Sequence, residues 1–202
     1  MIWIGRLTDM NWKINGRDYT GFSDFDWLLL QVNRDDWLDW FEMRIMSLSI
    51  CPIKCLFAND HQWIGGTQMF ALLACLQLIM ETIEGLGRIC SPGENADYQK
   101  ACQLFFKCWM PSDWMDREFV EWAYIYARNG LSHQGTISKG GLDDKIDTFL
   151  KHSANKYSVN PYTLFEAFQK GFKNMSQAIR EDQSERGIRS VFQRNFENRF
   201  KR

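Results

Sequence analysis

Gly66-Thr67-Gln68-Met69-Phe70-Ala71-Leu72-Leu73-Ala74-Cys75-Leu76-Gln77-Leu78-Ile79-Met80-Glu81-Thr82-Ile83 is the stretch that sets the fold class. Its apolar residues Met69, Leu72, Leu73, Leu76, Ile79, Met80 and Ile83 return every three or four positions. That is the period of a helix with one buried stripe, not the alternation of a strand. Gly85 and Gly87 come next and predict where the helix stops. The greasiest part, residues 69–80, is interrupted by Gln77 and is shorter than a bilayer requires. It reads as a core helix, and no membrane partner is expected.

Upstream, Ser23 or Asp24 is a candidate N-cap with Asp26 in the first turn. Trp27, Leu28, Leu30, Val32, Trp37, Trp40, Phe41, Ile45 and Leu48 then recur at helical spacing until Pro52, which predicts an end or a kink. Before that helix, Trp12-Lys13-Ile14 and Arg17-Asp18-Tyr19 flank Asn15-Gly16, the dipeptide that most favours a type I′ hairpin turn.

Downstream, Ser91-Pro92-Gly93-Glu94-Asn95 is a loop. A third helix carries Cys102, Leu104, Phe105, Cys108 and Trp109 and stops at Pro111. Ser112 or Asp113 can cap a fourth, with Trp114, Phe119, Val120, Trp122, Ala123 and Ile125. Residues 135–141 form a polar turn, residues 142–150 read as a short helix with a charged face, and Pro161 starts a helix striped with Tyr162, Leu164, Phe165 and Phe168. Residues 179–202 are basic and amphipathic. The expected architecture is an all-α helical bundle with a small N-terminal β-hairpin. Residues 1–22 form the hairpin appendage, 23–178 the helical domain and 179–202 a basic C-terminal helix.

Composition narrows the function. The chain has 202 residues, 45% of them hydrophobic and 15% aromatic, enough to bury a core and to exclude general disorder. A formal net charge of −1 leaves no global attraction to nucleic acid, so any RNA contact must use a local basic patch. Met1-Ile2-Trp3-Ile4-Gly5-Arg6 has no basic n-region followed by a long apolar run, and a cytoplasmic location is expected. Cys51, Cys55, Cys75, Cys90, Cys102 and Cys108 include no C-x-x-C pair and no histidine at finger-like spacing. They read as reduced, buried thiols; no metal and no cofactor is expected. Trp27, Trp37, Trp40, Trp63, Trp109, Trp114 and Trp122 read mostly as core or dimer-interface residues.

The chemistry-bearing stretch is Tyr126-Ala127-Arg128-Asn129-Gly130-Leu131-Ser132-His133-Gln134-Gly135. It places a guanidinium, an amide and an imidazole within two helical turns, a set able to hold a phosphate and move a proton near neutral pH. If the helix continues, Asn129 and His133 share a face and Arg128 lies about 100° round from Asn129. If Gly130 ends it, Asn129-Gly130 is a plain C-cap with Arg128 solvated beside the helix dipole. His61 reads as a loop or cap residue, and His152 as the end of the 142–150 helix.

Arg128-Asn129-Gly130-Leu131-Ser132-His133 resembles the Arg-x4-6-His signature of the HEPN-domain family, with Leu131 matching its apolar residue between arginine and histidine. The resemblance covers the motif and its helical context from about Ser23 to Phe168. It implies a HEPN-like fold and metal-independent cleavage of RNA at a site shared by two copies of the motif in a homodimer. Carried over by position, Arg128, Asn129 and His133 are the catalytic residues. It also implies a toxin or antiviral effector with a regulatory or antitoxin protein as partner. The alternative is a non-catalytic HEPN-like module that binds a nucleotide or a partner protein.

The tail offers a second RNA candidate. Phe192, Phe196 and Phe200 fall at i, i+4 and i+8, among Arg189, Arg194, Arg199, Lys201 and Arg202. These residues make either a docked helix with phenylalanines in the core or a basic, aromatic RNA-binding surface.

Overall fold

The computed structural model describes residues 11–14, 17–20, 37–58, 66–92, 97–134, 137, 139–153 and 155–200. Two strands come first, β1 (Asn11–Ile14) and β2 (Arg17–Thr20), paired antiparallel with Ile14 opposite Arg17 and Asn11 opposite Thr20. That register leaves two residues for the connection, as the Asn15-Gly16 signal requires. The turn type, the cap expected at Ser23 or Asp24, Trp27 and Trp63 lie outside the described residues.

Residues 37–58 form one helical rod in three parts: α1 (Trp37–Ile45), a π turn (Met46–Ile50) and α2 (Cys51–Ala58). Pro52 predicts an end or a kink, yet the rod runs through it. Proline lacks the N–H for a helical bond, and its ring crowds the carbonyl four residues back. In the π turn bonding shifts one residue further, with the Cys51 N–H donating to the Met46 carbonyl, and the wider coil accommodates the ring.

Helix α3 (Gly66–Ile89) is the central element, burying Leu72, Cys75, Leu76, Ile79, Met80, Ile83 and Leu86. Gly85 and Gly87 do not close it; the helix continues to Ile89. At Gly87 a Cβ would lie 1.9 Å from the Ala101 carbonyl oxygen, so the glycine is there for close approach of the next helix, not for termination. The apolar run also extends beyond residue 80. By length and composition Met69–Ile89 could cross a membrane, and 44% of its most apolar window is buried against the rest of the fold.

Helix α4 (Tyr98–Trp109) begins at Asp97, whose carboxylate accepts the Gln99 N–H at 2.8 Å, and stops before Pro111 as the sequence requires. A 3-10 turn, Ser112–Trp114, follows. The cap of the next helix is Asp116, accepting the Phe119 N–H at 2.6 Å, rather than Ser112 or Asp113. From there residues 117–134 form a second rod with a π turn in it: α5 (Arg117–Trp122), the turn (Ala123–Arg128) and α6 (Asn129–Gln134).

The short helix expected over residues 142–150 is not there. A three-stranded sheet takes its place, ordered β3 (Gly140–Leu142), β5 (Lys156–Val159), β4 (Phe149–Ser153), with β3 parallel and β4 antiparallel to β5. The Asp143 carboxylate accepts the Lys145 N–H at 3.0 Å and turns the chain where a helix would need it straight. Asn155 adopts φ 58° between β4 and β5. Phe149 stacks on Phe119 with ring centroids 4.0 Å apart, and Tyr157 and Val159 are buried beside them. His152 therefore sits on a strand, its Nε2 2.8 Å from the Ser158 hydroxyl, and not at a helix end.

Asn160 caps α7 (Pro161–Glu181), accepting from the Tyr162 and Thr163 N–H groups while its amide donates to the Ile146 carbonyl at 2.7 Å. Ile179, expected to open the C-terminal helix, is instead in the last turn of α7. After a turn whose Asp182 carboxylate accepts the Ser184 and Arg189 N–H groups, α8 (Ile188–Phe200) begins. Phe192 and Phe196 are buried, and Phe196 stacks on Trp37 with centroids 5.2 Å apart. Burying side chains of this size stabilises by about 1.5–3 kcal/mol each, so α8 belongs to the same core as α1. Arg180 ties α7 to α1 through Asp39 at 2.6 Å and Glu42 at 2.7 Å.

All six thiols are free, but only Cys75, Cys90 and Cys102 are buried; Cys51, Cys55 and Cys108 are exposed. Burial pushes the Cys75 and Cys90 thiols up to about 12. Trp37, Trp40, Trp114 and Trp122 are core residues, and Trp109 packs against them half-buried.

Candidate functional site

The motif occupies the last two turns of the 117–134 rod. Gly130 does not end the helix, which continues through His133 to Gln134. Leu131 is buried and anchors this end to the core. Asn129 and His133 stand four apart on one face of α6. The side chain of His133 lies outside the described residues.

Arg128 turns toward α3. Its Nε lies 2.8 Å from Oε2 of Glu84, and the two side chains are 21% and 7% exposed. This is a contact ion pair, but the N–H is not aimed along the N···O line, and neither atom makes a hydrogen bond. Removing the Glu84 carboxyl from water raises its pKa from its ordinary value; Arg128, and then Arg88 one turn further along α3, pull it back. Glu84 also acts on its neighbours. Burial raises the Tyr124 hydroxyl and the Cys102 thiol, and the nearby carboxylate adds to both shifts.

The other side of the Arg128 guanidinium reaches Asn129, with Nη1 donating to Oδ1 at 3.1 Å. The expected pair is thus brought together, with the amide carbonyl accepting a guanidinium N–H. The Asn129 amide NH2 has no partner among the described residues. Arg88 meanwhile lies over the half-exposed Tyr98 ring, 4.3 Å from its centroid.

The side chains of two of the candidate tail arginines are described. Arg194 donates to the Pro92 carbonyl at 3.0 Å, at the end of α3, and Arg189 is half-buried at the start of α8. The side chain of Arg199, and all of Lys201, lie outside the described residues, as does His61. Among the described residues no group of three histidine, cysteine or carboxylate side chains could hold a metal ion.

Glu84, the partner of Arg128, is the residue of this candidate site that motif spacing does not reveal. It falls one turn after Met80, on the buried side of an apolar helix, and a carboxylate at that register needs a cation from another element. Comparison of the chain with protein-family models, with curated proteins and with solved structures finds no match.

Proposed function

We propose that the chain is a HEPN-like, metal-independent endoribonuclease that works as a homodimer, with Arg128, Asn129 and His133 at a site completed by the second copy. The observation that carries the reading is the Arg128–Asn129 contact on the helix that continues to His133, backed by a buried carboxylate that fixes the guanidinium. An arginine held from behind presents its remaining N–H donors in a set direction, which is what stabilising charge on a phosphate requires.

In the proposed reaction His133 takes the proton of a ribose 2′-OH, and the 2′ oxygen attacks the adjacent phosphorus. The bond from phosphorus to the 5′ oxygen breaks, and that oxygen recovers a proton from an imidazolium. The products are a cyclic phosphate and a 5′-hydroxyl, and DNA is not a substrate. An imidazole with a reference pKa of about 6.5 suits both proton transfers. A toxin or antiviral role, with a regulatory or antitoxin partner, belongs to the same proposal.

One observation favours the second reading, a non-catalytic module that binds a nucleotide or a protein. Arg128 is only about a fifth exposed and its Nε is committed to Glu84, as in an arginine that holds two helices together. Purified wild type and His133→Ala, incubated with mixed RNA in EDTA, separate the two. The enzyme predicts chelator-resistant cleavage reduced roughly 10²- to 10⁴-fold in the variant. Inert wild type sinks it. Mixing Arg128→Ala with His133→Ala subunits should restore part of the activity if the site is shared.

A further inference from the structure

We propose that Lys139 and Tyr126 form a phosphodiester-binding subsite for single-stranded RNA alongside the Arg128–Asn129–His133 site; the inference rests on the ribonuclease reading and adds to it the residues that grip the substrate strand. Tyr126 lies on the same rod as the motif, in the π turn that leads into α6, three residues before Asn129 and seven before His133. The Lys139 ammonium sits 4.8 Å from the Tyr126 ring centroid and donates to its hydroxyl at 3.2 Å. A phenol that accepts this bond keeps its own O–H free to donate, and the ammonium keeps two further N–H groups. Three donors with one positive charge therefore converge at the surface, a set suited to phosphate oxygens.

The fold holds the backbone of Lys139 in place. Its carbonyl accepts the indole N–H of the buried Trp122, and the Tyr157 N–H from β5 reaches the same oxygen at 3.4 Å. The next residue, Gly140, has φ 154°, and a Cβ there would meet the Tyr157 carbonyl oxygen at 1.9 Å and the Trp122 ring at 2.6 Å. A rigid backbone thus carries an exposed cation.

That cation has no carboxylate partner among the described residues, a state it shares with other exposed lysines such as Lys156. Lys151 is answered by Glu118, Arg180 by Asp39 and Glu42, and Arg128 by Glu84. Among the described residues, Lys139 has only the phenol. Of the acidic groups on α5, Glu118 is engaged by Lys151 and Tyr157, and Glu121 is exposed.

The test measures binding of a fluorescent, 2′-O-methylated single-stranded RNA to the full chain across a salt series, so that cleavage plays no part. Wild type is compared with Lys139→Ala, Tyr126→Phe and Lys156→Ala, an exposed lysine on β5. Lys139→Ala should lower the slope of log affinity against log salt by about 0.7 and the affinity at roughly 0.1 M salt by about fivefold. Tyr126→Phe should weaken binding about threefold with the slope unchanged. An unchanged slope in Lys139→Ala, an equal drop in Lys156→Ala, or no binding by wild type overturns the subsite. If the binding results are as expected but His133-dependent cleavage is not found, the nuclease reading falls and the RNA subsite stands.

Discussion

Gly85 and Gly87 are two residues apart on α3, and they face opposite situations. At Gly87 the Ala101 backbone of α4 presses so closely that no side chain fits. At Gly85 a Cβ would meet nothing within 4 Å, because that side of the helix opens onto a groove of about 310 Å³ between α3 and the π turn of the first rod, floored by Leu48, Ser49 and Leu78. One helix thus has a face where backbone meets backbone and a face that is under-filled. Between them, Glu84 takes the Arg128 guanidinium. The same residue type is a packing requirement in one place and a conformational cost in the other.

Substitutions along residues 84–87 test that contrast, and the largest effect belongs to the close face. Gly87→Ala should cost about 2–3 kcal/mol in urea denaturation, because α4 must back away or α3 must bend. A loss below about 1 kcal/mol would mean the two backbones have room to spare. Glu84→Ala should cost about 2 kcal/mol at neutral pH, since it strands a half-buried guanidinium. Gly85→Ala should do the reverse and add about 0.5–1 kcal/mol, as alanine favours the helix and its methyl enters open space. A destabilised Gly85→Ala protein would show that the groove is filled in solution.

The carboxylate between the faces adds a dependence on pH. Because burial raises the folded-state pKa of Glu84 above its unfolded value, the folded chain holds that proton more tightly. Stability from this group is therefore greatest at and below the unfolded pKa and is lost as pH rises through the raised folded value. Stability measured against pH should fall in wild type as pH rises from the unfolded pKa through the raised folded one, and the Glu84→Gln variant should be flatter there. Equal slopes would place the shift in some other residue.

The helical part of this fold is legible in the sequence because its signals are local. The stripes of α3, α4 and α7, the stop before Pro111 and the start at Pro161 each depend on residues within a few positions of one another. The failures involve partners distant in the chain. Gly87 reads as a helix stop until Ala101 is seen against it. Residues 142–150 have apolar spacing compatible with a helix, but Phe149 is claimed by Phe119, thirty positions earlier, and β5 supplies a strand to pair with. Phe192 and Phe196 fit both a core and a surface reading until Trp37 and Phe41 are placed beside them. At the site, the adjacency of Arg128 and Asn129 is readable, whereas the Glu84 carboxylate that holds the arginine comes from another helix.

The widened coil at Ala123–Arg128 has a consequence for how this chain tolerates change in length. Over that span it carries one residue more than a regular helix would use. Losing a single amino acid there, such as the exposed Ile125, tightens the coil and leaves the segments on either side with their original aim. The regular turns of α6 hold no such slack. Removing Asn129 or Gly130 swings everything that follows by about 100°, and Leu131 leaves the interior. Tolerance and intolerance to shortening therefore lie within a turn of each other on the same rod.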